Sequence, residues 1–203
     1  YLTGRKLESV RAQGGQFFQW RFVTRHWWWQ AHPYSLSAAP NRDWLRITVK
    51  ALGDQSAALQ QLRPGTRVIA EGPYGVFTAD RRTSDSVVAF AAGVGVTPIR
   101  AMLEHLPAGA DVTVIYRVLE ADQAPLAEEM LEIAQAKDLR VHVLAGLPEA
   151  HPLTWDYLSQ YAPNLESADW YVCGPAGFTA GVRTLAATLG VPAKRFHHEA
   201  FAF

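Results

Sequence analysis

The residues best suited to chemistry lie in Ala89-Phe90-Ala91-Ala92-Gly93-Val94-Gly95-Val96-Thr97-Pro98-Ile99-Arg100. Gly93 and Gly95 allow a tight turn and a close backbone approach, because no Cβ stands in the way. With Thr97 as N-cap and Pro98 at the first helical position, a helix start follows the turn. Such a start offers free N–H groups and a partial positive charge to an anion. That is dinucleotide-site geometry. Gly-x-Gly-x-x-Pro is not the Gly-x-Gly-x-x-Gly fingerprint, however, and alone it reads equally as an ordinary strand–turn–helix.

Other pieces point the same way. His32-Pro33-Tyr34-Ser35-Leu36-Ser37 combines an aromatic ring with hydroxyls, and Gly53-Asp54-Gln55-Ser56 opens a short helix through Leu59 and Leu62. That helix start, with Ser56 beside it, is a second candidate anion site. Gly72-Pro73-Tyr74-Gly75 and Cys173-Gly174-Pro175 add two glycine turns. Taken singly, Tyr34 reads as a core aromatic, Ser35 as a strand-edge hydroxyl and the Gly72–Gly75 run as a plain turn. Trp27-Trp28-Trp29 cannot all face one core from a strand, so at least one is expected at the surface or an interface.

These residues need elements to hold them. Residues 1 to about 80 read as short antiparallel strands with Gly/Pro turns, hence a small barrel or sandwich. Phe18, Trp20 and Phe22 share one face by period 2. Trp44 to Ala51 alternates, with Leu45, Ile47, Val49 and Ala51 on one side and Arg46, Thr48 and Lys50 on the other. Thr66 to Glu71 is a further strand. From Asp85 strands alternate with helices: Val87–Ala91, Val112–Tyr116, Arg140–Leu144 and Trp170–Cys173 are strands. Helical spacing joins Ile99, Met102, Leu103 and Leu106, then Leu126, Met130, Ile133 and Ala134, then Phe178, Val182, Leu185 and Leu189. Thr154 is a further candidate cap. The alternation predicts a mainly parallel, doubly wound sheet. Ligands in such sheets sit beyond the carboxyl ends of the strands, so Gly93–Gly95, Tyr116-Arg117 and Cys173–Pro175 belong to one rim.

Bulk properties narrow the class. The 203 residues carry 49% hydrophobic and 19% charged side chains, a globular composition. Formal net charge is zero, which gives no support to a nucleic-acid partner. One cysteine excludes an internal disulfide and a cysteine metal cluster, and fits a reducing compartment. The seven histidines lack ligand spacing, so no metal site is expected. His197 and His198 are adjacent and would point to opposite faces of a strand. The first residue is Tyr1, not methionine, and the chain reads as a fragment.

In order and spacing, the motifs resemble the ferredoxin–NADP reductase superfamily along the whole chain. His32–Ser37 matches its flavin signature, Gly93–Pro98 its nicotinamide loop, Cys173-Gly174-Pro175 its Cys-Gly motif and Glu199-Ala200-Phe201 its carboxyl-terminal Glu-x-aromatic. The His-Pro opening of the flavin signature is most similar to the dehydrogenase domain of membrane ferric reductases and NADPH oxidases. The resemblance implies an antiparallel flavin-binding β-barrel over 1–82 and a doubly wound nucleotide-binding α/β domain over 83–203. Such a barrel has six strands; about five are legible, and the first is expected to precede Tyr1.

The same resemblance implies roles. Tyr34 stacks on the isoalloxazine, the Ser35 hydroxyl bonds near N5, and His32, with Pro33 beside it, stands near the FAD phosphates or ribityl chain. Val49 and Lys50 offer backbone groups to the ring edge. Gly53, Ser56, Gly72, Tyr74 and Gly75 line the pyrophosphate cradle. Gly93, Gly95, Thr97, Pro98, Cys173, Gly174 and Pro175 hold the nicotinamide nucleotide. Phe201, or Phe203, covers the other flavin face, with Glu199 as a polar or proton-handling neighbour. Arg117 is a candidate for a 2′-phosphate, which would mean NADPH, unless Glu120 pairs with it. The implied function is hydride transfer from NAD(P)H to FAD, with electrons leaving singly to a haem-containing transmembrane domain of the same parent. The Trp27–Trp29 loop is the candidate docking surface, and the expected place is the cytoplasmic side of a membrane within a larger membrane protein. The alternatives are a soluble ferredoxin or oxygenase reductase, and a non-enzymatic nucleotide-binding module.

Overall fold

The computed structural model describes residues 1–25 and 27–200; Phe201 and Phe203 lie outside the described residues. The first part is antiparallel. Strands β1 (Leu2–Thr3), β2 (Phe17–Phe22), β3 (His32–Ser35), β4 (Trp44–Leu45) and β5 (Val68–Tyr74) form a three-stranded sheet ordered β3-β2-β5 and a two-stranded sheet β1-β4. A bridge between Leu36 and Ile47 connects the segments that follow β3 and β4. Phe18, Trp20 and Phe22 are buried as their alternation requires, in a cluster with Leu36 and Leu45. The Trp20 indole donates to Tyr34 O at 2.9 Å, satisfying its only polar atom.

The expected strand from Trp44 to Ala51 is shorter than its pattern. Regular pairing stops at Leu45, because Arg46 turns inward and is only 8% exposed. Its guanidinium bonds to Ser37 and Glu129, which breaks the apolar-in alternation. The short helix appears as α1 (Asp54–Leu59).

The second part is a five-stranded parallel sheet ordered β10-β9-β6-β7-β8. Its strands are β6 (Ser86–Ala92), β7 (Asp111–Val118), β8 (Arg140–Ala145), β9 (Asp169–Gly174) and β10 (Phe196–Ala200). Helices α2 (Val96–Leu103), α3 (Ala127–Lys137), α4 (Trp155–Leu158) and α5 (Ala176–Thr188) form the crossovers. Val87, Ala89 and Ala91 face α2 and α3, while Val88 and Phe90 face α4 and α5. Burial on both faces is the doubly wound arrangement. The sequence pattern misses β10, whose Phe-His-His-Glu-Ala carries no apolar alternation; pairing with β9 makes it a strand. On it, His197 is half-buried and His198 exposed, as opposite faces require.

Thr97 is not the N-cap. A 3₁₀ turn over Gly93–Gly95 runs into α2, so Gly95 takes the cap position and Thr97 lies inside the first turn, its hydroxyl donating to Val94 O at 3.1 Å. A second expectation concerns the tryptophans: Trp28 and Trp29 are 59% and 57% exposed and meet edge to face, while Trp27 is half-buried.

Candidate functional site

Three loops leave the carboxyl ends of β6, β7 and β9 on one rim, and contacts tie them together. A methyl group added at Gly95 would lie 2.3 Å from Cys173 O and 2.7 Å from Gly174 N. The glycine is therefore what lets the β6 loop close onto β9. Gly93 has φ +55 and open space where a Cβ would point, leaving room for a ligand beside the backbone. The Tyr116 hydroxyl, at the end of β7, donates to Gly93 O (3.2 Å) and Pro125 O (3.3 Å), bracing the loop from below. Burial pushes this phenol well above its usual value, so it stays a donor. Tyr116 was legible in the sequence only as rim-lining; its brace needs the fold. Thr97 and Pro98 are buried in α2 beneath the rim, and Pro175 caps α5.

The antiparallel sheet brings its own residues to this rim. Ser35 pairs with Phe17, and Phe17 pairs with Tyr74, so the β3 and β5 ends lie in one row. The next residue is Gly75 (φ +91), where an added methyl group would lie 3.2 Å from the Phe17 ring and 3.8 Å from Glu199 Oε1. Glu199 stands beside Cys173 in the β10–β9 register. Gly75, Glu199, Cys173 and Gly95 thus form a line of contacts across both parts of the chain, with Tyr74 next to it and Ser35 two strands away in the same row.

Two buried polar atoms here have no partner: Ser35 Oγ and Glu199 Oε2. An unpaired buried hydroxyl or carboxyl oxygen costs free energy unless something binds it. Burial raises the Glu199 carboxyl to about 7, so it is about half protonated at neutral pH and exchanges its proton there. The Cys173 thiol is pushed up by burial and then by Glu199, which keeps it neutral and no nucleophile.

The remaining candidates are placed as follows. His32 and Tyr34 stack with ring centroids 6.1 Å apart; burial lowers the imidazole and raises the phenol, so both are neutral at pH 7. Pro33 is exposed opposite Gln19. The Tyr74 hydroxyl donates to Glu71 at 2.7 Å, and an added methyl at Gly72 (φ +152) would meet the Phe18 ring at 2.7 Å. Ser56 Oγ accepts from the Leu52 and Gly53 amides at 2.9 and 3.0 Å, so this hydroxyl organises its own loop. Val49 lines a cavity of about 450 Å³ with Phe22, Ile47, Leu59 and Val68, and Lys50 is exposed. The Arg117 guanidinium lies 5.9 Å over the Phe178 ring, and burial lowers its pKa against the pull of Tyr157 and Glu149. Glu120 accepts from Gln123 at 2.8 Å, not from Arg117.

The residues fit a flavin and a nicotinamide nucleotide. An open glycine turn, an orphan hydroxyl, a carboxyl that titrates near neutrality and neutral aromatic faces are the set for planar rings and a diphosphate. The comparisons agree. Residues 1–78 match a family described as FAD-binding domain, and residues 90–184 one described as oxidoreductase NAD-binding domain. The chain is 32% identical over 203 residues to a flavohemoprotein of Chromobacterium violaceum, covering 89% of this chain and 50% of the relative. It is 29% identical over 194 residues to the ferredoxin reductase component of a 3-ketosteroid-9-alpha-monooxygenase from Rhodococcus rhodochrous, covering 92% and 55%. Among solved structures, the flavohem-like FAD/NAD binding domain of a nitric oxide dioxygenase from Vibrio cholerae superposes with a TM-score of 0.79 at 27% identity, covering 94% and 85%. The chain spans about half the length of the flavohemoproteins it matches.

Fold and site together define an oxidoreductase domain that uses FAD and NAD(P)H. The chain belongs to the ferredoxin–NADP reductase superfamily. One expectation is corrected: a place on the cytoplasmic side of a membrane within a larger membrane protein. The relatives are flavohemoproteins and a ferredoxin reductase component, and among the described residues no helix is long and apolar enough to cross a membrane.

Proposed function

We propose that the chain takes a hydride from NADPH onto FAD and releases the electrons one at a time to a haem partner. The observation that carries this reading is the pair of unpartnered buried oxygens, Ser35 Oγ and Glu199 Oε2, with Glu199 tied to Gly75 on one side and, through Cys173, to the Gly95 loop on the other. FAD, when bound, supplies the change from two-electron to one-electron chemistry. The chain's own residues do the rest. Ser35 Oγ donates a hydrogen bond that orients the flavin ring, and Tyr34 offers it a flat face. Gly93 and Gly95 let the nucleotide approach the backbone, and Cys173 closes the site as a neutral thiol. Glu199, raised to about 7 by burial, gives or takes a proton near neutral pH within the desolvated rim. Holding both rings at reacting distance is the main contribution, and orientation of this kind is worth roughly 7–11 kcal/mol.

NADPH over NADH rests on Arg117, whose guanidinium is claimed by no carboxylate among the described ion pairs and lies on the rim. A haem acceptor is favoured by the flavohemoprotein relatives, with the Trp28–Trp29 surface as its docking face. A ferric-reductase or NADPH-oxidase type of output rests more narrowly on His32-Pro33. The ferredoxin reductase relative supports a second reading, delivery to an iron–sulfur protein serving an oxygenase. The test is to mix the FAD-loaded chain with NADPH and, separately, cytochrome c or a plant-type ferredoxin under nitrogen. Reduction of cytochrome c supports the haem reading. Reduction of the ferredoxin alone favours the second, and reduction of neither with the flavin bleached overturns single-electron output.

A further inference from the structure

A closed ring of polar contacts joins the strand that bears Ser35 to the helix that follows the glycine loop. Arg46 donates from Nε to Ser37 Oγ at 3.1 Å and from Nη2 to Ser37 O at 2.5 Å. Its Nη1 meets Glu129 Oε2, on α3, at 2.9 Å. The same oxygen takes Arg100 Nη2, on α2, at 2.9 Å. Arg100 Nη1 lies 2.9 Å from Glu104 Oε2, and that oxygen accepts the Ala39 amide. Ala39 is two residues past Ser37, so the ring closes through the chain.

This is not a surface ion pair. The Arg46 and Arg100 side chains are 10% and 9% exposed, and two cations balance two carboxylates, leaving the ring neutral. Arg46 is held by hydrogen bonds to Ser37 and Glu129, whereas Arg100 is held by ion-pair contact alone; pairs shielded in this way keep more of their attraction than exposed ones. The contacts also run to the two places that matter. Ser37 lies two residues beyond Ser35, and Arg100 lies on α2, whose first residue follows Gly95. Tyr171 donating to Thr78 O at 2.8 Å and Gly14 donating to His105 at 3.3 Å hold the two parts together elsewhere. Breaking the ring would loosen register without separating the parts.

We propose that Arg46, Glu129, Arg100 and Glu104 are positioning residues that set the distance between the flavin face at Ser35 and the nucleotide loop at Gly93–Gly95. The inference rests on the hydride-transfer reading above. Hydride transfer needs reacting atoms about 3–3.5 Å apart, and misplacement by about 1 Å can cost on the order of 100-fold in rate.

The experiment uses Arg46→Met, Glu129→Gln and the double variant on the full chain. In the FAD-loaded protein, the limiting rate of flavin reduction by NADPH falls at least about tenfold in each variant, while the nucleotide Kd moves less than about threefold. In the FAD-free protein, hydrogen exchange at the Ala39 amide speeds up in Arg46→Met, although Arg46 does not touch Ala39. The double variant keeps both the slow flavin reduction and the fast Ala39 exchange. Recovery in the double variant would mean the singles acted through a stranded charge, and would overturn the proposal. So would singles whose rate and Ala39 exchange both stay within twofold of wild type. A wild type that binds FAD yet is reduced by neither nucleotide overturns the hydride-transfer reading instead, and Ala39 exchange then decides the linkage on its own.

Discussion

Glu199 carries the clearest electrostatic signature, a carboxyl raised from 4.5 to about 7 by burial. A raised acid binds its proton more tightly folded than unfolded, so stability is greatest below pH 4.5 and falls as pH rises toward about 7. Above that it is flat. The shift corresponds to about 3 kcal/mol. Glu199→Gln, which resembles the protonated form, is expected to match wild type near pH 4 and exceed it by up to about 3 kcal/mol at pH 8; urea unfolding at both pH values measures this. Ser35 makes the opposite kind of statement. Its hydroxyl is buried without a partner in the FAD-free chain. Ser35→Ala is therefore expected to leave the FAD-free protein as stable as wild type, or about 1 kcal/mol more so, while slowing flavin reduction at least about tenfold. Equal loss in both readouts would make Ser35 a packing residue. For Arg117→Ala, the expected outcome is a KM for NADPH raised about tenfold with NADH within twofold, since a charge-assisted bond contributes about 1.5–3 kcal/mol.

Among the elements, the β6 loop offers the sharpest contrast. A Cβ at Gly95 would sit 2.3 Å from Cys173 O, on backbone that cannot swing aside, whereas one at Gly177 meets nothing within 4 Å. Gly95→Ala is expected to cost several kcal/mol by forcing the loop off β9, and Gly177→Ala to be neutral or to gain up to about 1 kcal/mol as a helix residue. Thermal melts of the two variants check this. The same elements show what a sequence can convey. Phe18, Trp20 and Phe22, and the apolar runs of β6, β7 and β9, obey their periods because burial alone dictates them. Trp44–Ala51 does not, because Arg46 turns inward for partners more than eighty residues away in Glu129 and nine away in Ser37. Thr97 looked like a cap because the residue type fits; the 3₁₀ turn before α2 moves the cap to Gly95. β10 is polar in sequence and exists only through its pairing with β9.

At the scale of the whole molecule, an antiparallel sheet and a doubly wound parallel sheet meet where Ser35, Gly75, Glu199, Cys173 and Gly95 converge. The glycine, cysteine and flavin-type motifs were legible because each is local. Their meeting was not, since it depends on inter-sheet contacts such as Gly75 against Glu199, and on the Arg46–Glu129–Arg100–Glu104 ring, which joins Arg46 to charges far from it in sequence. The chain spans about half the length of its flavohemoprotein relatives.

The most direct measurement is anaerobic stopped-flow reduction of the FAD-loaded chain by NADPH and by NADPH deuterated at the transferring carbon. The account predicts bleaching of the visible flavin band in a single nucleotide-dependent phase that slows measurably with the deuterated donor. Bound flavin that keeps its band with NADPH and with NADH would contradict it.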